Sequence, residues 1–306
     1  MKKILIIKHG SLGDIILALS AFESIRNYYI KSKITLLTEK KYINFLKISP
    51  YVDEFIEDNR SQTLFYSIFD KLKIFNRKFD LIIDLQNSKR TSLYNIFFRM
   101  FQKTIICSSR PFSHLRYKIP KQGQETISAG LFKQLKLLGI KEIKNNNYSW
   151  LSTTLENEIR KPLALFIPGV SKNSTYKQWQ PQKFVEVAKY LEKLNYTICV
   201  IGTKNDKDSI LPILKSCKNT IDKIETSPPE IIYSLAVNSK IIFSNDTGPG
   251  HIAALAKNNF IWIVNDNNIS EANKPIGNHV HIIKSISVKD ISSQKVIKYI
   301  KENKLC

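Results

Sequence analysis

What most constrains this chain is an alternation that runs along its whole length. Short runs of consecutive apolar residues are each followed by a segment whose apolar residues recur at helical spacing. Unbroken apolar runs fit strands buried on both faces, and parallel strands need crossover helices between them. In the first half KKILIIK, KITLLT, FDLIIDL and KTIICS read as strands, with DIILALSAFESIRNYYI and RTSLYNIFFRMF as helices. A polar, asparagine-rich stretch follows at roughly 141–160, and the pattern then restarts. PLALFIPG, YTICVIG, KIIFSN and NFIWIVN read as strands of the second half; PQKFVEVAKYLEKL, KDSILPILKSC, PPEIIYSLAVNS and GPGHIAALAK read as helices, with a last amphipathic helix in the tail.

At 306 residues the chain is too long for one compact core of ordinary size. The expectation is an α/β protein of two doubly wound, Rossmann-like domains, residues 1–152 and 153–306, facing each other across a cleft. The last helix is free to pack back on the first domain. Open α/β sheets keep their ligands outside the carboxyl ends of their strands, so the strand-exit turns are where chemistry is sought.

Four such turns stand out. SNDTGPGHIAAL, residues 244–255, follows a strand and opens a helix with Asp246, Thr247 and Gly248 at its start and His251 in its first turn. Free N–H groups and the helix dipole suit such a start to a diphosphate; a capped helix behind a Pro-Gly turn gives the same letters. In FIPGVSKNSTYKQWQPQKF, Lys177 is placed to neutralise a phosphate as a point charge. In VIGTKNDKDS, Asp206 lies where a carboxylate can grip ribose hydroxyls; a solvated helix start gives the same letters. In HGSLGDIIL, Asp14 follows a tight turn at the mouth of the first strand and serves either as an N-cap group or as a base. SLGD lacks the G-x-G-x-x-G fingerprint, which speaks against a dinucleotide-dependent oxidoreductase.

Net charge is +21, which suits a polyanionic partner such as nucleic acid, an anionic membrane surface or a phosphorylated substrate, although biased composition produces it too. All eight arginines, 26, 60, 77, 90, 99, 110, 116 and 160, lie at or before position 160, which points the first half at the anionic partner. RPFSHLRYK, residues 110–118, mixes basic and aromatic residues as a loop touching anionic lipid would, and a solvated basic loop reads the same way. No nucleic-acid recognition motif is present, so nucleic acid is not an expected partner. Cys107, Cys199, Cys217 and Cys306 are scattered without metal-ligand spacing, and no convincing DxD clamp sits beside a site, so no metal is expected. The opening apolar run is cut short by Lys8 and His9, too short for a signal peptide. A cytoplasmic protein, soluble or at most peripheral on a membrane, is the expectation.

Taken together, SLGDIIL at 11–17, FDLIIDLQNSKRTS at 79–92, PGVSKNSTYKQWQPQKF at 168–184 and SNDTGPGHIAAL at 244–255 resemble glycosyltransferase family 9, the ADP-heptose:lipopolysaccharide heptosyltransferases. The resemblance implies a GT-B fold and an inverting transfer of heptose, or a related sugar, from ADP-heptose to the lipopolysaccharide inner core, without a metal cofactor. It implies Asp14 as general base, and Lys177, Asp206, Asp246, Thr247, Gly248 and His251 around the nucleotide-sugar donor. Ser11, Gly13, Lys89, Arg90, Arg110 and Arg116 would face the acceptor, a phosphorylated glycolipid such as Kdo-lipid A or core. Ser20, Asp206 and Gly250 depart from the family's usual proline, glutamate and methionine. A non-catalytic GT-B scaffold that binds nucleotide sugar or envelope lipid is the alternative.

Overall fold

The computed structural model describes residues 1–59, 74–121, 123–143, 146–155, 161–275, 277 and 279–306. Arg60, Arg160 and parts of the 141–160 stretch lie outside the described residues. The chain divides into two units, Met1–Trp150 and Leu151–Cys306.

In the first unit β1 (Lys3–Ile7), β2 (Lys33–Thr38), β3 (Glu54–Glu57), β4 (Leu81–Asp84), β5 (Ile105–Ser108) and β6 (Leu115–Arg116) form a sheet in the order β3-β2-β1-β4-β5-β6. All its pairings are parallel, with Leu5 of β1 opposite Thr35 on one side and Ile82 on the other. Helix α1 (Leu12–Tyr28) has no proline or internal break and is buried along most of its length, from Ile15 through Ile25. Then come α2 (Lys40–Leu46), α3 (Lys89–Phe101) and α4 (Ile127–Lys136). Ser128 Oγ of α4 donates to Leu17 O of α1 at 3.4 Å, so α1 lies under a second helix. On the α3 side, Leu5, Ile7, Leu37, Ile82 and Ile106 meet Tyr94 and Phe98.

The second unit repeats this topology. Strands β7 (Leu163–Ile167), β8 (Thr197–Gly202), β9 (Thr220–Ile224), β10 (Ile241–Asn245), β11 (Asn259–Asn265) and β12 (Val280–Ser285) take the order β12-β11-β10-β7-β8-β9, again all parallel. Its helices are α5 (Pro181–Lys193), α6 (Lys207–Ser216), α7 (Pro229–Asn238), α8 (Gly248–Ala254), α9 (Asn268–Asn273) and α10 (Ser293–Glu302). The core joins Phe166, Val200, Phe243 and Ile263 of the strands to Trp179, Phe184, Leu191 and Ile213. Val296 and Ile300 of the final helix are buried in this same core, and Ser293 Oγ reaches Glu186 on α5.

Each sheet is therefore doubly wound, and its strand order reverses between the first and fourth strands of the unit: β1 and β4 in one, β7 and β10 in the other. That reversal is where open α/β sheets leave a crevice for ligands.

Candidate active site

At the first reversal, β1 runs into Lys8, His9, Gly10 and Ser11. Ser11 caps α1: its N and Oγ donate to Asp14 Oδ2 at 2.7 and 2.8 Å, and Asp14 N donates back to Ser11 Oγ at 3.4 Å. This is a capping box, with a carboxylate in the first turn. The half-buried Asp14 side chain folds back over Gly10, whose φ is +116°; a Cβ there would stand 2.6 Å from Asp14 Oδ2. Asp14 Oδ1 takes no part in the box, so one oxygen is fixed and the other lies outside these bonds.

Neighbouring strand exits hold this turn by its backbone. Gln86 Oε1 accepts from His9 N at 3.0 Å, Glu39 Oε1 from Gly10 N at 3.3 Å, and Tyr42 Oη donates to Gly10 O at 2.9 Å. Lys8 is buried, with Nζ 3.5 Å from Leu85 O. Burial pushes its pKa below the lysine value, against the pull of the Asp14 and Asp84 carboxylates. Asp84, fully buried, accepts from Gln86 N, Asn87 N and Asn95 Nδ2 at 2.9 to 3.1 Å. Burial still raises its pKa above the ordinary carboxylate value.

Among the basic residues, Lys89 and Arg116 are exposed, and Arg116 Nε reaches Ser109 O at 3.3 Å. Arg110 is half-buried, its Nε enclosed without a hydrogen-bond partner among the described residues. Arg90 is committed further: Nη2 donates to Asp58 Oδ1 at 2.7 Å and Nε to Tyr94 Oη at 2.8 Å, leaving Nη1 outside these bonds. Gly13 is buried inside the first turn of α1 and Ser11 is exposed.

At the second reversal, β10 delivers Asp246. Lys177 Nζ donates to Asp246 Oδ2 at 2.6 Å, and His251 Nε2 lies 3.7 Å from Oδ1. Burial alone would raise the Asp246 pKa; the hydrogen bonds and charges of His251 and Lys177 outweigh it, and the net shift is downward. Thr247 stands at the N-cap of α8 with extended backbone, and its side chain makes no capping bond. Among the described residues, the first N–H groups of α8 thus make no bond to the side chain of their N-cap residue. Gly250 is required by contact: a Cβ there would run into Ser244 Oγ.

Lys177 is carried on a loop clamped at both ends. Asn245 accepts from Trp179 N at 3.2 Å and donates to Pro168 O at 2.8 Å; Asn265 donates to Tyr176 O at 3.1 Å and accepts from Val288 N at 2.7 Å. Trp179 itself is fully buried, with Nε1 donating to Ile291 O at 2.8 Å. At β8, Asp206 Oδ2 accepts from Thr203 N at 2.9 Å and Thr203 Oγ1 at 2.7 Å, and its carboxyl crowds the Cα of Gly169 at the exit of β7.

The structure thus gathers Lys177, Asp246, Thr247, Gly248 and His251 at the β10 exit of one unit and Ser11, Gly13 and Asp14 at the β1 exit of the other. Gly10, Asp58, Asn245 and Asn265 emerge only from the coordinates. The asparagines left a trace, since IIFSN and NFIWIVN each close an apolar strand with an amide. Among the described residues, no group of three or more His, Cys, Asp or Glu side chains is placed to hold a metal ion.

Two doubly wound units with charged groups at their reversal points are the construction of a GT-B glycosyltransferase. The chain belongs to glycosyltransferase family 9 (heptosyltransferase), whose family model matches residues 71–298. Lys177, Asp206, Asp246, Thr247, Gly248 and His251 fall inside that span, while Ser11, Gly13 and Asp14 precede it. Among solved structures, a glycosyltransferase of family 9 from Veillonella parvula superposes with a TM-score of 0.80 at 19% identity, covering 98% of this chain and 96% of that one. The E. coli heptosyltransferase WaaC with ADP-2-deoxy-2-fluoro heptose gives 0.77 at 16%, covering 98% and 99%. E. coli ADP-heptose lps heptosyltransferase II gives 0.77 at 17%, covering 99% and 98%. A search of curated protein sequences returns no match.

Proposed function

We propose that this glycosyltransferase moves heptose, or a related sugar, from ADP-heptose to the inner core of lipopolysaccharide with inversion at the anomeric carbon. The observation that carries the donor assignment is the Lys177–Asp246–His251 cluster beside the uncapped start of α8. The two E. coli neighbours, one holding a fluorinated ADP-heptose and one named for lps, support the choice of sugar and acceptor.

In this reading the second unit holds the donor. Lys177, aimed by Asp246, meets the diphosphate with Thr247, Gly248 and His251, and Asp206 takes the ribose hydroxyls. The acceptor hydroxyl attacks the anomeric carbon, the bond to the β-phosphate oxygen breaks, and its electron pair leaves on ADP. Asp14 Oδ1 accepts the hydroxyl proton, a contribution of about 10²–10⁴-fold. Stabilising the charge that develops on the leaving group is the larger electrostatic task. Ser11, Gly13, Lys89, Arg110, Arg116 and the outer edge of Arg90 are the acceptor side, matched to the phosphates and carboxylates of Kdo-lipid A or core.

Among the described residues no helix is long and apolar enough to cross a membrane. In this reading a lipid-borne acceptor is met at the cytoplasmic face of the inner membrane, with the chain a peripheral visitor there. The leaving charge is met by side chains and a helix end, so we expect transfer to survive EDTA; a loss restored by added metal ions would reject a metal-free site. The principal test is Asp14→Asn assayed with ADP-heptose and a Kdo-bearing lipid A acceptor, with ADP-heptose binding followed by calorimetry. Transfer should be lost and binding kept. Unchanged transfer would remove Asp14 as the base, and no ADP-heptose binding by wild type would reject the donor.

A further inference from the structure

Asp58 closes β3, two strands from the β1 exit, and takes no part in the chemistry above. It is nonetheless buried and densely bonded. Arg90 Nη2 donates to its Oδ1 at 2.7 Å, Tyr94 Oη to its Oδ2 at 2.9 Å, and His9 Nε2 lies 3.3 Å from Oδ2. The side chains of His9 and Asp58 are 1% and 3% exposed. A carboxylate survives such burial only when paired and hydrogen-bonded. Two of these partners rise from α3, a rigid element of the core. The third, His9, is the residue immediately before Gly10.

The geometry points to Asp58 as a positioning residue for sugar transfer: it ties His9 to α3 and so fixes the Gly10–Ser11 turn on which the Asp14 carboxylate rests. The inference rests on the reading of Asp14 as base. Gly10 has no side chain of its own to pack and sits at φ +116°. Gln86, Glu39 and Tyr42 hold the turn by its backbone, and the buried His9 ring next to Gly10 is the side chain that meets Asp58. With an amide in place of the Asp58 carboxylate, the His9 ring loses the anion it packs against at 3.3 Å, the turn relaxes, and the aim of Asp14 Oδ1 relaxes with it. A misplacement of about 1 Å in a reacting group costs roughly 10²-fold.

The test compares Asp58→Asn, His9→Ala, the double variant and Asp14→Asn in the full chain. Rates are expressed per ADP-heptose-binding site titrated by calorimetry, so that unfolded protein does not count. Asp58→Asn should lower kcat by about tenfold or more with the KM for ADP-heptose within about twofold. His9→Ala should do the same while leaving Asp58 paired with Arg90 and Tyr94, and it stands in if Asp58→Asn fails to fold. The double variant should be no worse than the poorer single one, since both act through one contact. A purely structural role would lower the melting temperature with kcat per site unchanged, and that result, or full additivity in the double variant, would overturn the proposal. If Asp14→Asn is inactive and Asp58→Asn is normal, only this inference falls. If Asp14→Asn is active, the base reading and this inference fall together.

Discussion

Asp14 and Asp206 are the same local device built twice. Each carboxylate sits three residues after a hydroxyl residue, Ser11 or Thr203, and takes that residue's N and Oγ on a single oxygen, Oδ2. Each is pressed against a glycine, Gly10 or Gly169, that leaves no room for a Cβ. The settings differ. Asp14 opens a 17-residue helix at the reversal between β1 and β4. Asp206 closes a three-residue turn after β8, one strand away from the reversal between β7 and β10. Capping chemistry alone thus does not tell a base from a ribose ligand. The proposed roles rest instead on position relative to the reversal, where the sheet leaves a crevice.

The sharpest way to break this comparison is the paired substitution Asp14→Asn and Asp206→Asn. An amide preserves shape and most of the cap in both, so neither should cost more than about 1 kcal/mol of stability. Asp14→Asn should reduce kcat by about 10²–10⁴-fold with donor affinity intact. Asp206→Asn should raise the donor Kd by about tenfold, the worth of one hydrogen bond to a charged group, with kcat at saturation little changed. Equal losses in kcat from both would show that the two boxes are not functionally distinct.

The buried pair of the second unit has no counterpart at Asp14, which makes it the next lever. Asp246→Asn removes the charge facing Lys177, whose side chain keeps 20% exposure, and should cost about 3 kcal/mol, the low end for breaking a buried pair. The sign of its pH dependence follows from the direction of the shift. Asp246 has a folded pKa below the ordinary value of 3.8, so its contribution is fully present above that value and is lost as pH falls through the lower, folded one. The gap in melting temperature between wild type and Asp246→Asn should therefore be wide at neutral pH and close below about pH 3.8. A gap independent of pH would mean that packing, not charge, accounts for it.

How much of this was legible in the chain depends on burial. The central strands of both sheets read directly from the sequence because parallel strands covered on both faces are unbroken apolar runs. EFIE, LR, TIDKI and VHIIKS did not, because they lie at or next to sheet edges and are largely half-exposed, so nothing forces a run. The same holds for α2 and α4: KKYINFL and ISAGLFKQLK bury only a few residues each. At the site, Lys177, Asp246 and Asp14 were legible as charges beside glycine-bearing turns. Arg90 shows the opposite case: its letter suggests an acceptor contact, but its Nε and Nη2 serve Asp58 and Tyr94, partners that the sequence separates by as much as 32 residues. Long-range pairing of polar groups leaves no local period to read.

The two glycines give the finest test of the comparison, because they separate backbone strain from side-chain displacement. Gly10 has φ +116°, so Gly10→Ala brings a strained backbone costing about 1–3 kcal/mol as well as a collision with Asp14 Oδ2. Gly169 carries no positive φ; the three atoms nearest its Cβ would all belong to the Asp206 carboxyl group, which can rotate away at the loss of its capping bonds. Gly169→Ala should then cost about 1 kcal/mol or less and weaken donor binding a few-fold, the smallest of these effects. In the variant Gly169→Ala/Asp206→Asn the donor Kd should match that of Asp206→Asn alone, since both changes act on one carboxylate. A further loss in the double variant would mean that Gly169 keeps space for the donor itself and not only for Asp206.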